Sequence, residues 1–168
     1  MAKRKKQKFN NLDLIAIVLT VATLVMLFLP NLVYDFTVNV NLGGFGQYNG
    51  GEVEKINGIK AIFGFGPEDS ETKYTLFSFL SLLAYLLPIG ALVLTKLFKN
   101  KLGNILALAC FAASAVFFFI LPSFVVYAED VVGVLAYQKV GATLGVGAII
   151  AGILSSLNAL LTLLKIAK

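Results

Sequence analysis

Few side chains in this chain of 168 residues can do chemistry. Histidine is absent, and Cys110 is a lone cysteine inside an apolar run. The usual general base, zinc ligand and near-neutral proton switch are therefore missing. A single thiol forms no intramolecular disulfide and no cysteine-based metal cluster. Acid–base work falls to carboxylates, Lys and Tyr. Tyr34, Asp35, Glu129, Asp130 and Lys139 lie at the borders of apolar runs, where they can meet at one face. Two carboxylates in one site divide acid and base roles when the pKa of one is raised. Charges bordering an apolar run also serve solubility alone, so the expectation is a non-enzymatic protein with no cofactor and no metal.

Other patterns hold suitable residue types in unsuitable surroundings. Gly44, Gly46, Gly50 and Gly51 cluster like a phosphate-binding loop, but no helix follows them, and they read as turns. Glu68, Asp69 and Glu71 lack calcium-loop spacing and read as a solvated acidic run. Lys3-Arg4-Lys5-Lys6 has the charge of a nucleic-acid patch. Beside an apolar run its expected partner is the anionic surface of a bilayer, and no nucleic acid is expected. Asn158 is the most polar side chain within an apolar run. It reads as a hydrogen bond between helices, a contact of about 0.6–2 kcal/mol in membranes.

The elements around these residues follow from composition. Apolar residues make up 58% of the chain and charged residues 14%. Soluble domains hold about 45–50% and about 25%. Folded in water, this chain would lack polar surface, so the excess must face lipid. A spanning helix takes about 20 apolar residues. Four stretches qualify, at residues 12–33, 74–98, 104–127 and 140–164. They leave a basic tail at 1–11, loops at 34–73, 99–103 and 128–139, and a short tail at 165–168. The expected fold is a four-transmembrane-helix bundle, all-α apart from a small antiparallel β hairpin or sheet in the first long loop. The first stretch follows a basic segment as a signal peptide does. It is too long for one and no A-x-A site follows, so it should stay as a span.

Orientation follows from the placement of Lys and Arg. Lys3, Arg4, Lys5, Lys6, Lys8, Lys96, Lys99, Lys101, Lys165 and Lys168 fall on one side, ten of the 14. Of the nine acidic residues only Asp13 joins them. The expected protein is a multi-pass protein of the cell membrane with both termini cytoplasmic and residues 34–73 outside. Arg4 is the single arginine, Asn is frequent and Trp is absent, a composition associated with AT-rich bacterial genomes.

Helices in lipid meet through small residues. Gly147, Ala151, Ser155 and Ala159 form a ridge on the fourth span, and Gly141 and Gly145 extend it. The expected contact is the third span through Ala109, Ala112, Ala113 and Ala115, or else a second copy of the chain. Pro88 should kink the second span. In the long loop, Phe36, Val38, Val40 and Leu42 alternate with polar residues as a strand does. Ile59, Ala61 and Phe63 offer a second strand, with Val53 and Ile56 as an earlier start. The apolar face of such a hairpin should rest on the bundle or bind a partner. Val131, Val132, Val134 and Leu135 of the second loop can pair with it or lie in the interface.

Leu29-Pro30-Asn31-Leu32-Val33-Tyr34-Asp35 is like Leu121-Pro122-Ser123-Phe124-Val125-Val126-Tyr127, and residues 94–99 are like 161–165. Two parallel helical hairpins would give this pattern, and so would convergence on Leu-Pro as a span ending. The order of spans and loops resembles the claudin and tetraspan layout. The resemblance is architectural: the claudin loop signature needs Trp and a Cys pair, which this chain lacks, and no junction function carries over. Residues 57–64, followed by the span near Leu76, also resemble four-transmembrane proteins of low-GC Gram-positive bacteria without assigned activity. That likeness implies no chemistry. The expected function is binding, scaffolding or service as an accessory subunit, with the bilayer and a membrane-protein partner or homo-oligomer as partners. A small channel or transporter is the alternative, and a lipid-acting enzyme a distant third.

Overall fold

The computed structural model describes residues 11–35, 38–41, 47–50, 53–64, 77–98, 100–125 and 142–167. Four helices in it are long and apolar enough to cross a membrane. They are α1 (Asn11–Val25), continued by a 3-10 turn at Met26–Phe28, then α3 (Phe79–Leu97), α4 (Lys101–Phe119) and α6 (Val146–Ala167). Two short helices, α2 (Gly58–Phe63) and α5 (Leu121–Phe124), lie between them. The described strands are β1 (Pro30–Asp35), β2 (Val38–Asn41), β3 (Gln47–Gly50), β4 (Val53–Asn57) and β5 (Ala142–Leu144).

Pro30 ends the first long helix. A proline ring disfavours helical backbone in the residue before it, and Leu29 is extended at φ −89°, ψ 161°. The first long helix therefore stops at Phe28, short of the 33 expected for the first span, and the residues from Pro30 open β1. A proline at the first residue of a strand disturbs the ladder least. β1 is the middle strand of an antiparallel sheet in the order β4-β1-β5. Leu32 opposes Ile56 and Leu144, while Tyr34 opposes Glu54 and Ala142. Leu32, Tyr34 and Ile56 are buried beneath the sheet with Ala61, Leu121, Val125 and Ala148.

The expected first strand is present in part, as β2. It pairs with β3 in a separate two-stranded ladder, with Val38 opposite Gly50 and Asn41 opposite Gln47. The expected second strand at residues 59–63 is a helix instead, and the strand is the earlier segment, β4. Capping decides this. Asn57 Oδ1 accepts from Lys60 N at 2.9 Å, and Gly64, at φ 81°, closes the helix with its N–H on Lys60 O. The buried residues of α2 are Gly58, Ala61 and Ile62, while Ile59 and Phe63 are exposed one turn apart, a helical period rather than a strand's.

α4 is central: α6 and α3 both pack extensively on it, α1 packs on α6, and α1 touches α3 lightly. The contact expected between the third and fourth spans is thus present. Of the α4 residues expected there, Ala115 is buried and Ala113 half-buried. Ala109 and Ala112 are exposed, and the buried stripe is Gly103, Ala107, Phe111, Ser114, Ala115 and Phe118. The fourth long helix begins at Val146 rather than at the 140 expected for the fourth span, because Ala142–Leu144 joins the sheet. The two Leu-Pro segments also diverge, Pro30 opening a strand and Pro122 lying in the first turn of α5.

Candidate functional site

The sheet and the helix ends beneath it meet at Asn31, which is fully buried. Its Nδ2 donates to Met26 O at 2.9 Å, which also accepts from Leu29 N at 3.2 Å, and to Leu29 O at 2.8 Å, two carbonyls at the point where the first long helix stops. Its Oδ1 accepts from Tyr85 Oη of α3 at 2.7 Å. Its backbone carbonyl accepts from Gly145 N, at the entrance to α6, at 2.8 Å. One side chain and one carbonyl so tie β1 to three helices. The polar atoms involved are satisfied in a region where water would otherwise have to serve them.

Glycines permit this approach. A Cβ on Gly58 would lie 2.8 Å from Tyr85 Oη, 2.9 Å from Asn31 Nδ2 and 3.0 Å from Leu27 Cα. A Cβ on Gly145 would overlap the Pro30 carbonyl, and one on Gly147 would sit 2.9 Å from the same oxygen. Gly145 and Gly147 were expected to pack helix on helix, yet they make room for the start of β1. Lower on the same ridge, Ala151 is buried against Phe118 and Tyr85, and Ser155 Oγ lies 3.2 Å from Ser114 Oγ of α4. Ala159 packs beside Ala107 and Phe111. Gly141 falls outside the described residues, as do Phe36 and Leu42 of the expected loop surface. Val38 and Val40 lie on β2.

Tyr34 pins the sheet at a second point, its hydroxyl donating to Val125 O at 3.1 Å. Burial, and then the negative charge of Glu54 across the ladder, push its phenol up to about 12. The proton stays on at any ordinary pH, so Tyr34 is a donor and a poor base. Of its companions in the possible acid–base group, Asp35 ends β1, and Glu129, Asp130 and Lys139 lie outside the described residues.

Two further polar contacts lie within the bundle. Pro88 of α3 has no N–H for the carbonyl of Ala84 one turn back. Ser114 Oγ supplies the missing donor at 2.7 Å from α4. Asn158 Nδ2 donates to Thr20 Oγ1 of α1 at 3.1 Å, and its buried Oδ1 has no partner among the described residues. At the opposite end from the sheet, Asp13 bridges Lys96 at 3.3 Å and Lys165 at 2.5 Å. These three residues line a small crevice together with Thr95 and Thr162. Among the described residues no three His, Cys, Asp or Glu side chains gather as metal ligands would.

Sequence reading did not single out Asn31, Tyr85 or Ser114. The available signals were a hydroxyl inside an apolar run, and an amide directly after the proline that ends a span.

Fold and site together define a class: a bundle of four long apolar helices locked at one end to a three-stranded antiparallel sheet. Comparison with protein families, with curated proteins and with solved structures finds no match to this chain.

Proposed function

We propose that this chain is a multi-pass protein of the cell membrane with cytoplasmic termini, and that it works by binding, as a scaffold or accessory subunit. Membrane embedding is supported by an inverted distribution of side chains. Ala16, Thr20 and Thr23 of α1 are buried, while Leu14, Val18, Val21 and Val25 are exposed. Small and polar residues inside with large apolar residues outside suit a helix whose solvent is lipid. Orientation is supported by Lys96, Lys101 and Lys165 at the helix ends away from the sheet, and by the ten of 14 basic residues that the sequence assigns to that side.

The observation that carries the binding reading is the Asn31 node. It joins β1 to α1, α3 and the start of α6, so the sheet moves with the bundle as one body. A rigid projecting surface keeps the ordering cost of association low. Exposed Val53 and Lys55 on β4 belong to that surface. Asn158, the best candidate for a polar pore ring, is turned inside the monomer onto Thr20, which favours binding over a channel.

A photo-crosslinking residue at Val53, followed by purification from the native membrane in mild detergent, tests this. A stoichiometric adduct with one membrane or envelope protein, lost in Asn31→Leu, is expected. Adducts only between copies of this chain, together with solute flux in liposomes, would replace the binding reading with the channel.

A further inference from the structure

We infer that α2 is a membrane-interface helix, and that its Ile59–Phe63 face is covered by lipid at the sheet end of the bundle rather than by a protein partner. The inference rests on the membrane-embedded reading given above. The exposed face calls for some occupant: Ile59 is 40% exposed, Phe63 59% and, in ring contact with it at 6.2 Å, Phe77 54%.

The position of α2 selects the occupant. Its first residue, Gly58, lies against Leu27, in the turn that ends the first span. Near its other end, Ile62 O accepts from Ser78 N at 2.8 Å, and Ser78 is the N-cap of α3. The helix therefore bridges the end of one span and the start of the next. Two such points mark the level at which the apolar bundle ends, so α2 runs along that level. Phe28, 69% exposed, and Phe79, 62% exposed, stand at the same two span ends. Together with Phe63 and Phe77 they place four exposed apolar rings at the two helix ends that α2 joins, the kind of side chain an interfacial helix turns toward the acyl boundary. Buried Ala61 and Ile62 hold the opposite face of α2 to the protein. Exposed Lys60, next to Ile59, has a stem long enough to reach headgroups while the ring of Phe63 stays among acyl carbons. Six residues are too few to bind a bilayer unaided. α2 has no need to, since Gly58 and Ser78 place it there. Such a helix would fix the height of the sheet above the membrane, and so the reach of any partner.

The absence of Trp gives a clean probe. Phe63→Trp, and separately Ile59→Trp, would be reconstituted in phosphatidylcholine vesicles brominated either near the carbonyl end or near the methyl end of the acyl chain. Iodide serves as the aqueous quencher. Val18→Trp on the exposed face of α1 reports the membrane core, and Val53→Trp on β4 reports water. Both α2 probes should emit in the blue, lose most of their intensity to bromine near the carbonyl end and resist iodide. Quenching of both by iodide as at Val53, while Val18→Trp still responds to methyl-end bromine, would overturn the inference and leave a water-exposed face. If Val18→Trp is instead quenched by iodide and not by bromine, the membrane reading falls and the inference with it.

Discussion

At the scale of single residues, the structure spends its polar side chains on joints. Asn31 donates to carbonyls at the end of the first long helix, and Tyr85 and Tyr34 each donate across elements far apart in the chain. Tyr34 carries a prediction about pH. Its folded pKa of about 12 lies above the ordinary phenol value of 10.0. Between those values the folded state holds a proton that the unfolded state has lost. The contribution is therefore fully present below pH 10 and is lost as pH rises through the folded pKa. Unfolding in detergent followed from pH 8 to pH 12 should show an alkaline loss of about 1–3 kcal/mol attributable to this group. Tyr34→Phe should lack that share of the loss and be less stable at pH 8 by about 1 kcal/mol, the net worth of the bond to Val125. Identical slopes in the two proteins above pH 10 would refute the assignment.

Among elements, Pro88 of α3 is a buried and packed position. The carbonyl that Pro88 leaves open is taken by Ser114 from α4, which stands beside Ser155 of α6. Proline and serine should therefore be coupled. Ser114→Ala alone orphans a buried carbonyl and should cost about 1–2 kcal/mol. In a Pro88→Ala background the helix can make its own bond to Ala84, and Ser114→Ala should cost about half as much or less by the same reasoning. A double-mutant cycle on thermal or denaturant unfolding in detergent reads this directly. Additive effects would mean that the serine does not replace the proline's missing donor.

At the scale of the whole molecule, the proposed orientation rests on charge, and the sheet ties the helix ends together. With Cys110→Ser as background, Lys55→Cys on β4 should react with an impermeant maleimide on intact cells. Lys101→Cys, at the start of α4, should react only after the cells are opened. The opposite pattern would reverse the orientation. The Asp13–Lys96–Lys165 cluster adds little to this. Asp13 and Lys96 keep 29% and 39% of their side-chain surface, and ion pairs exposed to that degree are worth about 0–1 kcal/mol.

The four long helices were legible in the sequence because apolar length and composition are properties of single segments. So was the contact between α4 and α6, since small residues at helical spacing mark a face. The sheet was only half legible. Residues 30–35 look like the tail of a span, and their identity as the central strand depends on β4 and β5, which arrive from two distant loops. Residues 59–63 alternate like a strand, but the Asn57 cap and the Gly64 terminator outweigh an alternation in so short a segment. Local patterning thus determined which segments are helical and apolar. Only the tertiary structure decided that Asn31 and Tyr85 meet, that Gly145 and Gly147 yield to a strand, and that Ser114 completes α3. Each of those outcomes is a contact between groups whose separation in the chain exceeds any local period.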